Sequence, residues 1–285
     1  VSVVDVAVRR AAVLGSPIAH SLSPVLHSAA YASLGLAGWT YSRVECVEDG
    51  LAGFVDGLGP EWAGLSLTMP LKRVALSVAT SVSPAAAAIG AANTLVLGPE
   101  GRRAENTDAP GMADALREAG LVAPAAPLIL GAGGTAQAAL AALAGPAGPA
   151  GLTRPAVGGP VTALVRNPAR AGELRTTAER LGVTLDVRSL DEAPARLADA
   201  DLVISTLPKG AADPLAHAAL RPSAVVFDVV YDPWPTALAT AAVAAGCRVV
   251  SGLDLLLHQA GHQVRLMTGQ EPPIDAMRAA LALAR

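Results

Sequence analysis

Short β-branched runs alternate with Ala/Leu-rich stretches along most of the chain, the pattern of an α/β protein. Residues 10–14 read as a first strand, ending at Gly15-Ser16-Pro17. A helix over residues 24–34 follows, with Ser23 as its N-cap and Pro24 at its first position, where a missing N–H costs nothing. Gly35 ends it. Residues 41–46 and 64–67 are further strands, and residues 94–97 pair with 102–105 in a hairpin around Gly98-Pro99-Glu100-Gly101. A second block starts near Ala109 with a helix over 111–119. Pro127–Leu130, Val161–Val165, 201–205 and 225–229 are short continuous apolar runs, as expected of parallel strands buried on both faces. Helices over 253–267 and Ile274–Leu283 follow. The Gly/Pro-rich segment 145–160 carries no hydrophobic period and reads as a surface insertion between a helix and a strand.

Length and charge narrow the picture. A chain of 285 residues is comfortable for two domains, and 52% hydrophobic residues can fill two cores, mainly with aliphatic side chains because aromatics are only 3%. A net charge of −3 with scattered Lys and Arg argues against a nucleic-acid partner. No apolar run is long enough for a membrane span, the first residues do not resemble a signal peptide, and a cytoplasmic protein is expected. Cys46 and Cys247 form no CxxC pair and read as two small buried thiols. No metal site is visible: His20, His27, His217, His258 and His262 are dispersed and read as helix-surface or capping residues.

The strongest local chemistry lies after Pro127–Leu130. Gly131-Ala132-Gly133-Gly134-Thr135-Ala136 is the GxGxxA form of the dinucleotide fingerprint, set between a strand and a helix. Gly131 permits the turn, Gly133 admits backbone N–H groups to a pyrophosphate, and Ala136 lets the helix pack closely; the helix N-terminus favours the anion. At the end of the next strand, where NAD binders place an acid, stand Arg166 and Arg170. Guanidinium groups there suit the 2′-phosphate of NADP, although solvated charges at a helix start would look the same. The insertion accounts for the wide spacing from the glycines.

Polar clusters mark the N-terminal block. Ser21 and Ser23 could grip a carboxylate at a helix N-terminus, or Ser23 could serve only as a cap. Lys72 follows an apolar strand, and Asp108 lies at the border between the blocks; such a pair can move the proton that hydride transfer to a ketone demands. Asn93 would present a fixed amide to substrate hydroxyls.

Taken in order, these stretches resemble the shikimate dehydrogenase family: residues 13–24, 64–72, 90–94, 106–108, the glycine turn, Tyr231-Asp232-Pro233-Trp234-Pro235-Thr236 and 252–259. The resemblance covers nearly the whole chain. It implies two α/β domains with a cleft between them: a substrate domain over 1–108, completed by the helices of 253–285, and a Rossmann-type NADP domain over 109–252. It also implies reduction of 3-dehydroshikimate to shikimate with NADPH, a step toward aromatic amino acids. By the same resemblance Ser21 and Ser23 bind the carboxylate, and Lys72 and Asp108 are the catalytic pair, with Lys72 the acid/base. Thr68, Asn93, Tyr231 and Gln259 hold the ring substituents. Gly131, Gly133, Gly134, Thr135 and Ala136 line the pyrophosphate; Arg166, Asn167 and Arg170 face the 2′-phosphate; Thr206, Gly252 and Leu255 lie near the nicotinamide.

Three positions depart from the family pattern. Ser66 stands where the family usually has Asn, Ala109-Pro110-Gly111 replaces Gly-x-Gly, and Val165 replaces an Asn before the Arg. The rival readings are an NAD-dependent quinate/shikimate dehydrogenase, against which Arg166 argues, and a catalytically silent sensor of a nucleotide or ring acid, against which Lys72 and Asp108 argue. A homodimer is left open.

Overall fold

The computed structural model describes residues 8–144, 157 and 159–284. The expected insertion at 145–160 therefore lies almost wholly outside the described residues. The chain divides into two compact units: the residues up to Thr107 together with those from Leu257 onward, and the residues from Asp108 to Leu256.

In the first unit the elements run β1 (Arg9–Gly15), α1 (Ser23–Ser33), β2 (Trp39–Glu45), α2 (Leu51–Asp56), β3 (Trp62–Leu67), α3 (Ala75–Val78), β4 (Ser81–Val82), α4 (Pro84–Ile89), β5 (Thr94–Gly98) and β6 (Gly101–Glu105). They form one sheet in the order β2-β1-β3-β5-β6-β4. β1 is parallel to both β2 and β3, whereas β5 runs antiparallel to its two neighbours, β3 and β6. The last five residues of β1 are all buried, so this strand is covered on both faces. Leu14, Leu51, Leu65, Leu71 and Leu95 form the aliphatic core on one side. Tyr31, Tyr41 and Val13 anchor a more aromatic cluster on the other.

The second unit continues with α5 (Asp108–Glu118), β7 (Pro127–Leu130), α6 (Gly134–Leu143), β8 (Val161–Val165), α7 (Gly172–Leu181), β9 (Leu185–Ser189), α8 (Ala193–Leu197), β10 (Leu202–Ser205), β11 (Val225–Asp228), α9 (Ala237–Ala244), β12 (Arg248–Ser251) and the start of α10 (Gly252–Thr268). Its sheet is ordered β12-β11-β10-β7-β8-β9 and every pairing is parallel. This is the doubly wound dinucleotide-binding order. Its direction reverses between β7 and β10, so a crevice is expected beyond the carboxyl ends of those two strands. Leu128, Leu130, Leu164, Val203 and Val226 fill its core. The remainder of α10 and α11 (Ile274–Leu283) return to the first unit, where α11 packs on α1.

Several expectations need correction. Ser23 is the first residue of α1, not its N-cap; Leu22 holds that position and the Ser21 hydroxyl accepts the Ser23 N–H at 3.3 Å. α5 starts at Asp108, three residues before the expected Gly111. Pro110 is tolerated because the first turn needs no N–H from it. Cys247 is only half-buried. His27 is not at the surface: it is 0% exposed, in the core beneath Tyr41.

Candidate active site

The first unit gathers its polar groups at the carboxyl ends of β1 and β3. Two residues on one face of β2 hold the loop after β1. The Arg43 guanidinium donates twice to the Ser21 carbonyl, at 2.8 and 2.6 Å, and the Glu45 carboxylate accepts the Ile18 N–H at 3.1 Å. Alternation along a strand puts residues 43 and 45 on the same side. Ser21 is half-buried; Ser23, on the first turn of α1, is buried. Thr68 extends β3, its N–H donating to the Leu14 carbonyl at 2.9 Å, and its carbonyl accepts the Leu71 N–H at 2.8 Å to turn the chain toward Lys72. The half-buried Lys72 is fixed through its backbone, where its carbonyl accepts the Ala92 N–H at 2.7 Å. Asn93 follows directly.

Asn93 is 2% exposed and its amide is fully oriented. Its Oδ1 accepts the Thr107 N–H at 2.7 Å and the Thr94 hydroxyl at 3.0 Å. Its Nδ2 donates to Thr107 Oγ1 at 2.9 Å and to Gln259 Oε1 at 3.3 Å. The structure thus brings together Asn93 and Gln259, two of the residues expected to hold the ring substituents. It joins to them Ser66, noted in the sequence only as a departure from the family pattern, and two residues that no motif announced, Tyr41 and Gln263. The Tyr41 hydroxyl donates to Ser66 Oγ at 2.6 Å, and Ser66 Oγ donates to Gln263 Oε1 at 2.8 Å. Burial pushes the Tyr41 phenol far above its usual range, opposed by its bonds to Ser66 and Ser23. One local signal marks Gln263, though not its partners. On α10 the buried apolar residues Leu253, Leu257, Ala260, Val264 and Met267 form a stripe, and Gln259 and Gln263, four apart, lie buried within it.

In the second unit, Asp108 opens α5 and is 7% exposed. The glycine turn sits at the carboxyl end of β7. Gly131 has φ +111°, a conformation L side chains avoid, and a Cβ there would stand 2.5 Å from Thr206 Oγ1. Thr206 itself, just past β10, donates both its N–H and its hydroxyl to the Leu130 carbonyl, at 2.9 and 2.8 Å. The turn and Thr206 therefore share the crevice where the strand order reverses.

This crevice fits a dinucleotide diphosphate on three counts. A Cβ added at Gly133 or Gly134 would meet nothing within 4 Å, so the space before α6 is open. Gly133 caps α6 without any side-chain bond, leaving the first-turn N–H groups to a ligand. Behind them Ala136, Ala138 and Ala139 are fully buried, which brings the helix close to the sheet. Thr135 stands half-buried on the first turn, while Arg166, Asn167 and Arg170 are exposed beyond β8. The Asn167 Oδ1 accepts the Ala169 N–H at 3.1 Å, shaping that turn.

Beyond β11 the loop to α9 carries Tyr231, half-buried, with its phenol pushed up by burial and by Asp232. Asp228, 1% exposed, ties this loop at both ends: it accepts the Val230 N–H at 3.2 Å and the Thr236 hydroxyl at 2.8 Å. Burial raises the Asp228 carboxyl, against the pull of those two donors. Gly252 lies against the same loop, where a Cβ would run into the Val229 carbonyl; Leu255 is half-buried one turn along α10. Among the described residues no three His, Cys, Asp or Glu side chains gather as a metal site, and no helix is long and apolar enough to cross a membrane.

Known proteins share this architecture and sequence. Residues 13–95 match the shikimate dehydrogenase substrate binding domain, and residues 252–282 match the shikimate 5′-dehydrogenase C-terminal domain. A shikimate dehydrogenase (NADP(+)) from Caulobacter vibrioides is 41% identical, with 95% of this chain and 94% of that protein covered. The crystal structure of Mycobacterium tuberculosis shikimate dehydrogenase superposes with a TM-score of 0.86 at 45% identity, over 96% of this chain and 99% of that one. The Thermus thermophilus shikimate 5-dehydrogenase, solved in complex with NADP(H) and shikimate, gives 0.79 at 34% identity, over 97% and 100%. With identity of this level along nearly its full length, the chain belongs to the shikimate dehydrogenase family.

Proposed function

We propose that the protein is an NADP-dependent shikimate dehydrogenase, reducing the ketone of 3-dehydroshikimate reversibly to the alcohol of shikimate. The observation that carries the reading is the buried amide pair Asn93 and Gln259, oriented by Thr94 and Thr107 within the unit that also holds Lys72. Fixed amides of this kind discriminate ring hydroxyls, because a substrate lacking them leaves buried polar groups unpaired.

Ser21 and Ser23 hold the carboxylate at the start of α1, helped by the helix N-terminus. Thr68, Asn93, Gln259 and Tyr231 hold the ring substituents. Reduction places a hydride on the carbonyl carbon and a proton on its oxygen; NADPH, when bound, supplies the hydride. Lys72 supplies the proton to that oxygen and recovers it in the reverse direction, with Asp108 as its carboxylate partner. The support for this pairing is that backbone bonds tie Lys72 to Ala92, beside Asn93, while Asn93 holds the N–H of Thr107, the residue preceding Asp108. Gly131, Gly133, Gly134, Thr135 and Ala136 receive the diphosphate. Arg166, Asn167 and Arg170 favour the 2′-phosphate over a bare ribose. Thr206, Gly252 and Leu255 line the nicotinamide end. The proposed setting is a cytoplasm that keeps Cys46 and Cys247 reduced, with no nucleic-acid partner and a homodimer as the assembly to test by sedimentation.

The deciding assay follows nicotinamide absorbance with shikimate or quinate and NADP or NAD. Reduction of NADP by shikimate supports the reading. Activity confined to NAD and quinate moves the protein to the quinate-type sister enzyme. Silence in all four mixtures, from folded protein that binds nucleotide, turns it into a sensor.

A further inference from the structure

We infer that Gln263 is a positioning residue for the substrate-facing amides, supplying from α10 the carboxamide that the family's usual Asn would supply at position 66. The inference rests on the proposed function and deepens it. Gln263 is 1% exposed, and all four of its hydrogen-bonding capacities are used. Its Oε1 accepts from Ser66 Oγ at 2.8 Å and faces His27 Nε2 at 3.2 Å; its Nε2 donates to the Asn93 carbonyl at 3.3 Å and to Thr94 Oγ1 at 3.0 Å.

The directions of these bonds follow from one another. Burial lowers His27 to about 4, so the imidazole is neutral near pH 7 and only one ring nitrogen carries hydrogen. With Nε2–H donating to Gln263, Nδ1 is left to accept from the Tyr31 hydroxyl at 3.5 Å. The Asn93 carbonyl can only accept, so it takes a Gln263 Nε2–H; the Gln263 oxygen then faces Ser66 and His27, and its nitrogen faces Thr94. Because the Gln263 N–H occupies a lone pair of Thr94 Oγ1, the Thr94 hydrogen turns to Asn93 Oδ1. That oxygen also takes the Thr107 N–H, which sends Asn93 Nδ2 toward Gln259. Through Thr94 and the Asn93 carbonyl, Gln263 thus reinforces the direction that the Thr107 N–H gives the Asn93 amide, and with it Gln259, without needing to touch substrate.

Backbone geometry explains why the amide can come from the helix. At Gly64 a Cβ would lie 2.8 Å from Met267 Cγ and 2.8 Å from the Leu95 carbonyl, so the missing side chain lets α10 lie close on β3. Two residues along β3, Ser66 meets Gln263, four residues back along α10. The small Ser66 side chain leaves the space that the Gln263 amide fills.

The test uses Gln263→Met, which keeps length and loses the hydrogen bonds, with shikimate binding measured by calorimetry and kinetics with NADP. We expect Kd and KM for shikimate to rise about tenfold, kcat to fall less than about threefold, and KM for NADP to stay unchanged. Returning the amide to residue 66, in Ser66→Asn/Gln263→Ala, is expected to bring the shikimate KM back to within about threefold of the parent. Parental shikimate affinity in Gln263→Met, or a folded double variant as weak as Gln263→Met, overturns the inference. If Gln263→Met does not fold, Ser66→Ala removes one link, and a shikimate KM that fails to rise overturns it equally. A parent that binds shikimate without turning it over fails the proposed reaction and leaves the calorimetric test intact; a parent that does not bind shikimate overturns both.

Discussion

The two units build their polar sites from opposite materials. In the first, side chains bond to side chains: Tyr41, Ser66, Gln263, Thr94, Asn93, Thr107 and Gln259 each depend on a neighbour for their direction. In the second, the site is backbone: a glycine turn, an open helix end and a Thr that bonds only to a strand carbonyl. A diphosphate is a large, charged target that any set of N–H groups can meet. A ring with hydroxyls and a carboxylate has a handed pattern, and reading it requires amides whose oxygen and nitrogen ends are not interchangeable. Damage should therefore spread within the first unit and stay local in the second.

The largest effect tests chemistry, which neither scaffold replaces. Lys72→Ala should lower kcat about a hundred- to ten-thousandfold with a smaller change in shikimate binding; steady-state kinetics near the parent's would remove Lys72 from its role.

Next comes the buried imidazole beneath the network. Its folded pKa, about 4, lies below the unfolded 6.5, so the unfolded chain takes the proton first. The stability linked to neutral His27 is complete above about pH 6.5 and is lost as pH falls toward 4, by up to about 1.4 kcal/mol per pH unit. Denaturant titrations at several pH values should show a shallower slope in His27→Phe, and equal slopes would disprove the linkage.

In the second unit, Gly131→Ala strains a positive φ by about 1–3 kcal/mol and crowds Thr206. NADP binding should weaken about tenfold or more while calorimetric shikimate binding stays at the parent value. A parallel loss of shikimate affinity would break the contrast between the units. The smallest effect is expected from Arg166→Ala: about tenfold in KM for NADPH, screened by its exposure, and none for NADH. An unchanged preference between the two cofactors would release Arg166 from the 2′-phosphate.

Legibility followed the same division. The strand, turn and helix around Gly131 could be read because glycine spacing and a four-residue apolar strand are local signals. The hairpin of β5 and β6 was equally local. α7 was missed although Leu174, Thr177, Ala178 and Leu181 form a helical stripe, because charged residues interrupt it and β9 follows closely. β12, four residues at a sheet edge, carries too little pattern to stand out. The roles of Ser66, Tyr41, His27 and Gln263 were out of reach for another reason: residues 66 and 263 are 197 apart in the chain, and only the fold makes them neighbours. Asp228 belongs with them, since nothing local marks a strand-end acid as the tie of the Tyr231 loop.

The close contact of α10 with β3 acts as a vernier. Two strand residues advance about 6.6 Å and four helix residues about 6 Å, so matched rungs drift by about 0.6 Å each before any tilt is added. From Gly64 with Met267, through Ser66 with Gln263, to the level of Gln259, the accumulated offset passes 1 Å, near the tolerance of a hydrogen bond. The polar strip is thus limited in length by two repeat distances, and lengthening either element would not extend it.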